Sequence, residues 1–163
     1  MSAPRRTGIS GRWIVPALAL TLAPLATPVS PSAHAQTEEA GRQVTLFGIV
    51  ATPNSTLIDP KLARIETQLR KLLPNHGFKL LDVQSKRLSA GQTLSASLGN
   101  GFVAETELIQ PLDPNGKVQL RCGLAWNQVT QFETLVSTPP NQLFFCDKML
   151  VDGSRLLVGI GAR

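Results

Sequence analysis

The sequence predicts an α+β domain: one N-terminal helix packed on a mostly antiparallel, meander-like β-sheet of about eight strands, laid out in one layer or folded into two. Three observations predict it. Residues 59–77 are the one clear segment with apolar residues at helical spacing. The segments after it are short β-rich runs separated by Gly, Pro and Asn turns. Within 117–126, Val118, Leu120, Cys122, Leu124 and Trp126 alternate with Lys117, Gln119 and Arg121, which is the period of a half-buried strand.

The chain opens with Arg5, Arg6 and Arg12 and has no acid before Glu38. An apolar stretch from Ile14 to about Ala26 follows, and Ala33-His34-Ala35 places small residues at the positions a signal peptidase reads. These features predict a secretory signal peptide over 1–35, cut before Gln36. The apolar run falls short of the roughly 20 residues a membrane span needs, and Pro16 and Pro24 interrupt it, so no span is expected after cleavage. Arg5-Arg6 is a weak twin-arginine hint because Thr7-Gly8-Ile9 lacks the apolar continuation.

Residues 36–43 are mostly polar and predict a flexible N-terminus, leaving 44–163 as a single domain. VTLFGIVA, 44–51, is a β-rich run, and Thr52-Pro53-Asn54-Ser55 is a turn. In 59–77, Asp59 caps, Pro60 suits the first helical position, and Leu62, Ile65, Leu69 and Leu72 or Leu73 form the apolar stripe. Pro74 and Gly77 stop that helix, at a predicted length of about three to four turns. Strands are then expected over 78–88, 92–98, 102–109, 117–126, 129–137, 142–150 and 154–163. The turns between them include Gly99-Asn100-Gly101, Asn115-Gly116, Asn127-Gln128 and Thr138-Pro139-Pro140-Asn141.

Charge argues against nucleic acid. The chain carries 16 basic and 11 acidic residues, a formal +5. Three of those bases leave with the signal, so the exported chain holds an excess of only about +2. With no Tyr and few aromatics, a base- or sugar-stacking platform is not expected.

Motifs of chemistry are sparse. There is no GxSxG elbow, HExxH, CxxC pair or phosphate loop. No catalytic residue, cofactor or metal site is implied. His76 is the only histidine downstream of the cleavage point, too few for a closed zinc site with two distant cysteines. Glu105 and Glu107 alternate on one strand face, which fits the wet side of a sheet better than a general-acid pair.

Cys122 and Cys146 are the only two cysteines. In an exported chain they suggest one disulfide. In a flat meander they would lie two strands apart, about 9–10 Å, beyond the roughly 7 Å a bridge allows. Either the sheet folds over and brings the strands face to face, or the thiols are unpaired small hydrophobes. A Cys–His catalytic pair would need His76 beside one of them.

Partner contacts are sought at Trp126, on a hairpin tip, and at the basic helix residues Arg64, Arg70 and Lys71, joined by Lys61, Lys79, Lys86 and Arg87. The plain alternatives are a tryptophan folded onto the core and a solvated helix face. Gly159 and Gly161 in the last strand mark either a backbone open to a pairing partner or a tightly packed strand.

The runs LLDVQSKRLSAGQTL, Gly99-Asn100-Gly101-Phe102, KVQLRC, VSTPPNQLFFCDK and GSRLLVGIGAR resemble a group of short exported planctomycete-type bacterial proteins of unknown function. The resemblance covers 44–163. It implies a stand-alone domain and carries no activity and no catalytic residues. The expected function is therefore an exported non-enzymatic interaction or structural module, periplasmic or extracellular, with an unknown protein partner in the cell envelope. The alternative is a small exported enzyme acting on envelope material.

Overall fold

A computed structural model describes residues 41–163. The expected signal peptide and residues 36–40 of the expected flexible terminus lie outside the described residues. Eight strands follow in order: β1 Arg42–Pro53, β2 His76–Leu88, β3 Thr93–Gly99, β4 Phe102–Gln110, β5 Val118–Trp126, β6 Val129–Thr138, β7 Leu143–Met149 and β8 Arg155–Ala162. They form two four-stranded antiparallel sheets, ordered β2-β1-β8-β7 and β3-β4-β5-β6.

The strand order is the chain order, with the last strand returning to pair with the first. The meander therefore closes on itself through β1 and β8, with its ladders interrupted between β2 and β3 and between β6 and β7. The two sheets share one interior, built from Val44 and Leu46 of the first sheet's β1, Val158 and Ile160 of β8, and Leu108, Leu120 and Leu124 of the second sheet.

This overturns the α+β expectation. The protein is mostly β, and the predicted 59–77 helix is a 3-10 turn at Pro60–Leu62 followed by a short helix, α1, at Glu66–Leu72. The Asp59 side chain does accept the Lys61 N–H at 2.9 Å, as a cap should. The helix nonetheless breaks at Ile65, whose φ of −117° lies outside helical backbone. The apolar stripe itself follows the sequence pattern: Leu62, Ile65 and Leu69 are buried and Leu73 is partly buried against the same cluster, whereas Leu72 is 45% exposed. Three buried anchors, with Leu73 at their margin, carry the packing of the segment.

Those anchors cover the outer face of the first sheet, against Ile49, Ala51, Phe78 and Leu157. That cover explains a feature of the sequence. In β1, Val44 and Leu46 face the sandwich interior while Phe47, Ile49 and Ala51 face the helix, so the strand is apolar on both sides. Among the described residues no helix covers the second sheet in this way, and its strands β3 and β5 alternate between buried and more exposed residues. Gly48 faces inward, where a Cβ would run into the Leu98 side chain of the opposing sheet, so any larger residue there would force Leu98 to move.

The last strand is not an edge. β8 lies between β1 and β7, so pairing of a partner's strand with β8, expected from its position at the end of the chain, is excluded. Gly159 and Gly161 pack instead beneath Phe145 and Leu143 of β7.

Candidate functional site

The turns at one end of the sandwich place an apolar cleft there. Asn100 (φ 51°) and Gly101 (φ 79°) turn β3 into β4. Asn127 (φ 47°) and Gln128 (φ 68°) turn β5 into β6. The 150–153 turn links β7 to β8 at the same end. Between them opens a cleft of about 560 Å³. Its apolar lining is Phe102, Trp126, Met149, Leu150 and Val151, with Asn100, Gln131, Lys148 and Asp152 as polar members.

Trp126 is the fixed point of this cleft. Its Nε1 donates to the Asn100 carbonyl at 3.0 Å, and its ring stacks on Phe102 at a centroid distance of 6.1 Å. The ring is nonetheless 46% exposed. The two sequence alternatives for Trp126 are thus both partly realised: one edge is tied to the fold and the rest faces solvent. Met149 and Val151 on the opposite lip are more exposed still, and Val129, the cross-strand neighbour of Trp126, is exposed beside it. A cluster of exposed apolar side chains around an oriented indole suits burial against another apolar surface.

Charge at the cleft is balanced. Lys148 forms no ion pair within 4.0 Å among the described residues. Asp152 accepts from the Ser154 N–H and hydroxyl, and those hydrogen bonds hold its carboxyl below the usual carboxylate range. The cleft rim thus carries one hydrogen-bonded acid and one ammonium outside any ion pair among the described residues.

The basic residues do not join this site. Arg70 is paired with Glu66 at 2.7 Å one helical turn away and also reaches the Thr56 carbonyl. Lys71 is exposed on α1. Arg64 borders a separate groove of about 350 Å³ on the outer side of the first sheet, with Phe47, Gln142, Leu143 and Arg163. Glu105 and Glu107 lie on the outer face of the second sheet, where Arg121 bridges Glu107 at 2.7 Å and Glu133 at 3.5 Å.

The Cys–His pair is not formed. His76 Nδ1 donates to the Pro74 carbonyl at 2.9 Å, at the start of β2. Cys146 is on β7, at the opposite edge of the same sheet, three strand spacings away, at least about 14 Å, and offset along the strands as well. Among the described residues no group of three or more His, Cys, Asp or Glu side chains is placed to hold a metal ion. No described helix is long and apolar enough to cross a membrane.

Cys122 and Cys146 do meet. The layers fold over as one alternative required, so β5 and β7 lie in facing sheets and both thiols enter the same interior. They are present as free thiols. Met149 and Val151 were missed from sequence because they flank what reads as an ordinary turn, and nothing local shows that this turn faces Trp126. Comparison with protein-family models, curated proteins and solved structures finds no match for this chain.

Proposed function

We propose that this chain is an exported, non-enzymatic module of the cell envelope that binds a protein partner by seating an apolar side chain of that partner in the Trp126 cleft. The observation that supports the reading is the exposed apolar rim around an indole held in place by its own hydrogen bond. Pre-ordering that ring lowers the entropy cost of binding, which is what an anchor residue requires. Export rests on the Arg-rich, apolar, Ala-His-Ala leader and on the resemblance to short exported planctomycete-type proteins.

The test is affinity capture from detergent-solubilised envelope, comparing the native chain with Trp126→Ala and with Arg64→Ala. A saturable partner retained by the native chain and by Arg64→Ala, and lost at least tenfold with Trp126→Ala, is expected for removal of an anchor. Equal capture by all three chains, or no saturable capture, contradicts the reading.

A further inference from the structure

Cys122 and Cys146 come from different sheets and point into the space between them. Cys122 is fully buried, and Cys146 is half-buried against the same cluster. Across the ladders, Cys122 is flanked by Thr106 of β4 and Thr134 of β6. Thr106 is itself fully buried, and its hydroxyl has no hydrogen-bond partner. A short polar row therefore crosses an otherwise aliphatic wall, with Cys146 opposite. The position matters, because no ladder joins β6 to β7. Along β5 the inward set runs Cys122, Leu124, Trp126, and along β7 it runs Cys146, Lys148 and on to Leu150. The thiols thus sit below the mouth of the cleft on the two strands that form its walls.

We propose that Cys122 and Cys146 are a redox site, oxidised to one intramolecular disulfide that joins β5 to β7 across the sandwich and fixes the width of the Trp126 cleft. The roles of the two sulfurs differ. Hydrogen bonding with Cys146, and then burial, push the Cys122 thiol up, while the same hydrogen bond pulls the Cys146 thiol down. Cys146, the more accessible sulfur, attacks first as its thiolate. The oxidant is a disulfide, such as oxidised glutathione or a disulfide-bearing oxidoreductase. Cys146 forms a mixed disulfide with one oxidant sulfur and expels the other as a thiolate. Cys122 then gives its proton to that thiolate and attacks the Cys146 sulfur, expelling the second oxidant thiolate. Two protein thiols are oxidised and one oxidant disulfide is reduced to two thiols. The bond itself rests on the cysteine geometry; only its effect on the cleft rests on the function proposed above.

The experiment uses the full chain, isolated reduced and then treated with oxidised glutathione. Thiols are counted by maleimide labelling after unfolding, before and after reductant. The account expects a monomer with no free thiol before reductant, a protease fragment linking the Cys122 and Cys146 peptides, and a melting temperature raised on the order of 10 °C over the reduced form. Cys122→Ala should trap a glutathione adduct on Cys146, and Cys146→Ala should form none. Both thiols still free after treatment, or a disulfide-linked dimer, overturns the bond, and neither outcome depends on a variant that might misfold. If the bond forms but, in a Trp13→Phe chain whose one tryptophan is Trp126, acrylamide quenching is the same in both redox states, its action on the cleft is overturned while the bond stands.

Discussion

At the scale of the residue, two positions show how closely the packing is tuned. Thr106 is buried with an unpartnered hydroxyl, and an unmet buried donor costs stability because its water contacts are lost without replacement. Replacing it by the isosteric Val keeps the shape and removes the unmet group. Thr106→Val should raise the unfolding free energy by about 1 kcal/mol in urea titration; a loss of stability would mean the hydroxyl has a partner in solution. Gly159 is the converse case. A Cβ there would lie 2.6 Å from Cε1 and 3.0 Å from Cδ1 of Phe145. Gly159→Ala should therefore cost roughly 1–3 kcal/mol by overpacking, measured by the same titration, and Phe145→Leu in the same chain should recover part of it. The tight-strand reading of Gly159 was legible from sequence as one of two alternatives, but its partner ring was not, because β7 and β8 pair through a register that a lone glycine does not encode.

At the scale of the element, strands were read well and the helix poorly. The turn residues carry that difference. Asn100, Asn127 and Asn141 all adopt positive φ, where asparagine is tolerated, and each marks a strand boundary within a residue or two of the expected one. The helical stripe was real, but its length was set by how much of the first sheet needed covering, which no local pattern reports. Leu69 is the deepest anchor of α1 and is fully buried. Leu69→Ala should cost about 2–5 kcal/mol yet leave partner capture through the Trp126 cleft unchanged under folding conditions, since α1 contributes no lining residue there. Loss of capture at a temperature where the variant is folded would tie the helix to the site. The Asp113 turn gives a second test. Its carboxylate accepts from the Lys117 and Asn115 N–H groups, and these hydrogen bonds, the Lys117 bond first, lower its pKa from 3.8. A depressed carboxylate stabilises the fold above its unfolded pKa, and that contribution is lost as pH falls through the folded value. Asp113→Asn should flatten the fall in melting temperature on the acid side of pH 3.8 and leave its slope above pH 6 unchanged. An unchanged acid slope would show that the turn does not titrate with folding.

At the scale of the whole molecule, the sequence supplied eight strands in meander order but not their closure. Closure needs β1 to pair with β8, a contact spanning nearly the whole domain, and the pattern of either strand alone is compatible with an edge or a centre. The double-sided apolar run of β1 was the available signal, since a strand apolar on both faces must be covered on both. Once the meander closes, consequences that looked independent follow together. The cysteines face each other, Trp126 comes opposite the β7–β8 turn, and β8 ceases to be an edge. The Trp126 half of the cleft was legible as a hairpin-tip tryptophan; the Met149 and Val151 half was not, because it arrives from the other sheet.

Trp126 is the only tryptophan downstream of the expected cleavage point, so one resonance reports on the cleft. The most direct measurement is fluorine NMR of the chain beginning at Gln36, labelled with fluorotryptophan and titrated with detergent-solubilised envelope. Engagement of the indole by a partner gives a saturable shift or broadening of that single signal, with protection from a soluble paramagnetic quencher. A signal that stays sharp and equally accessible while the chain is demonstrably captured would place the contact elsewhere on the molecule.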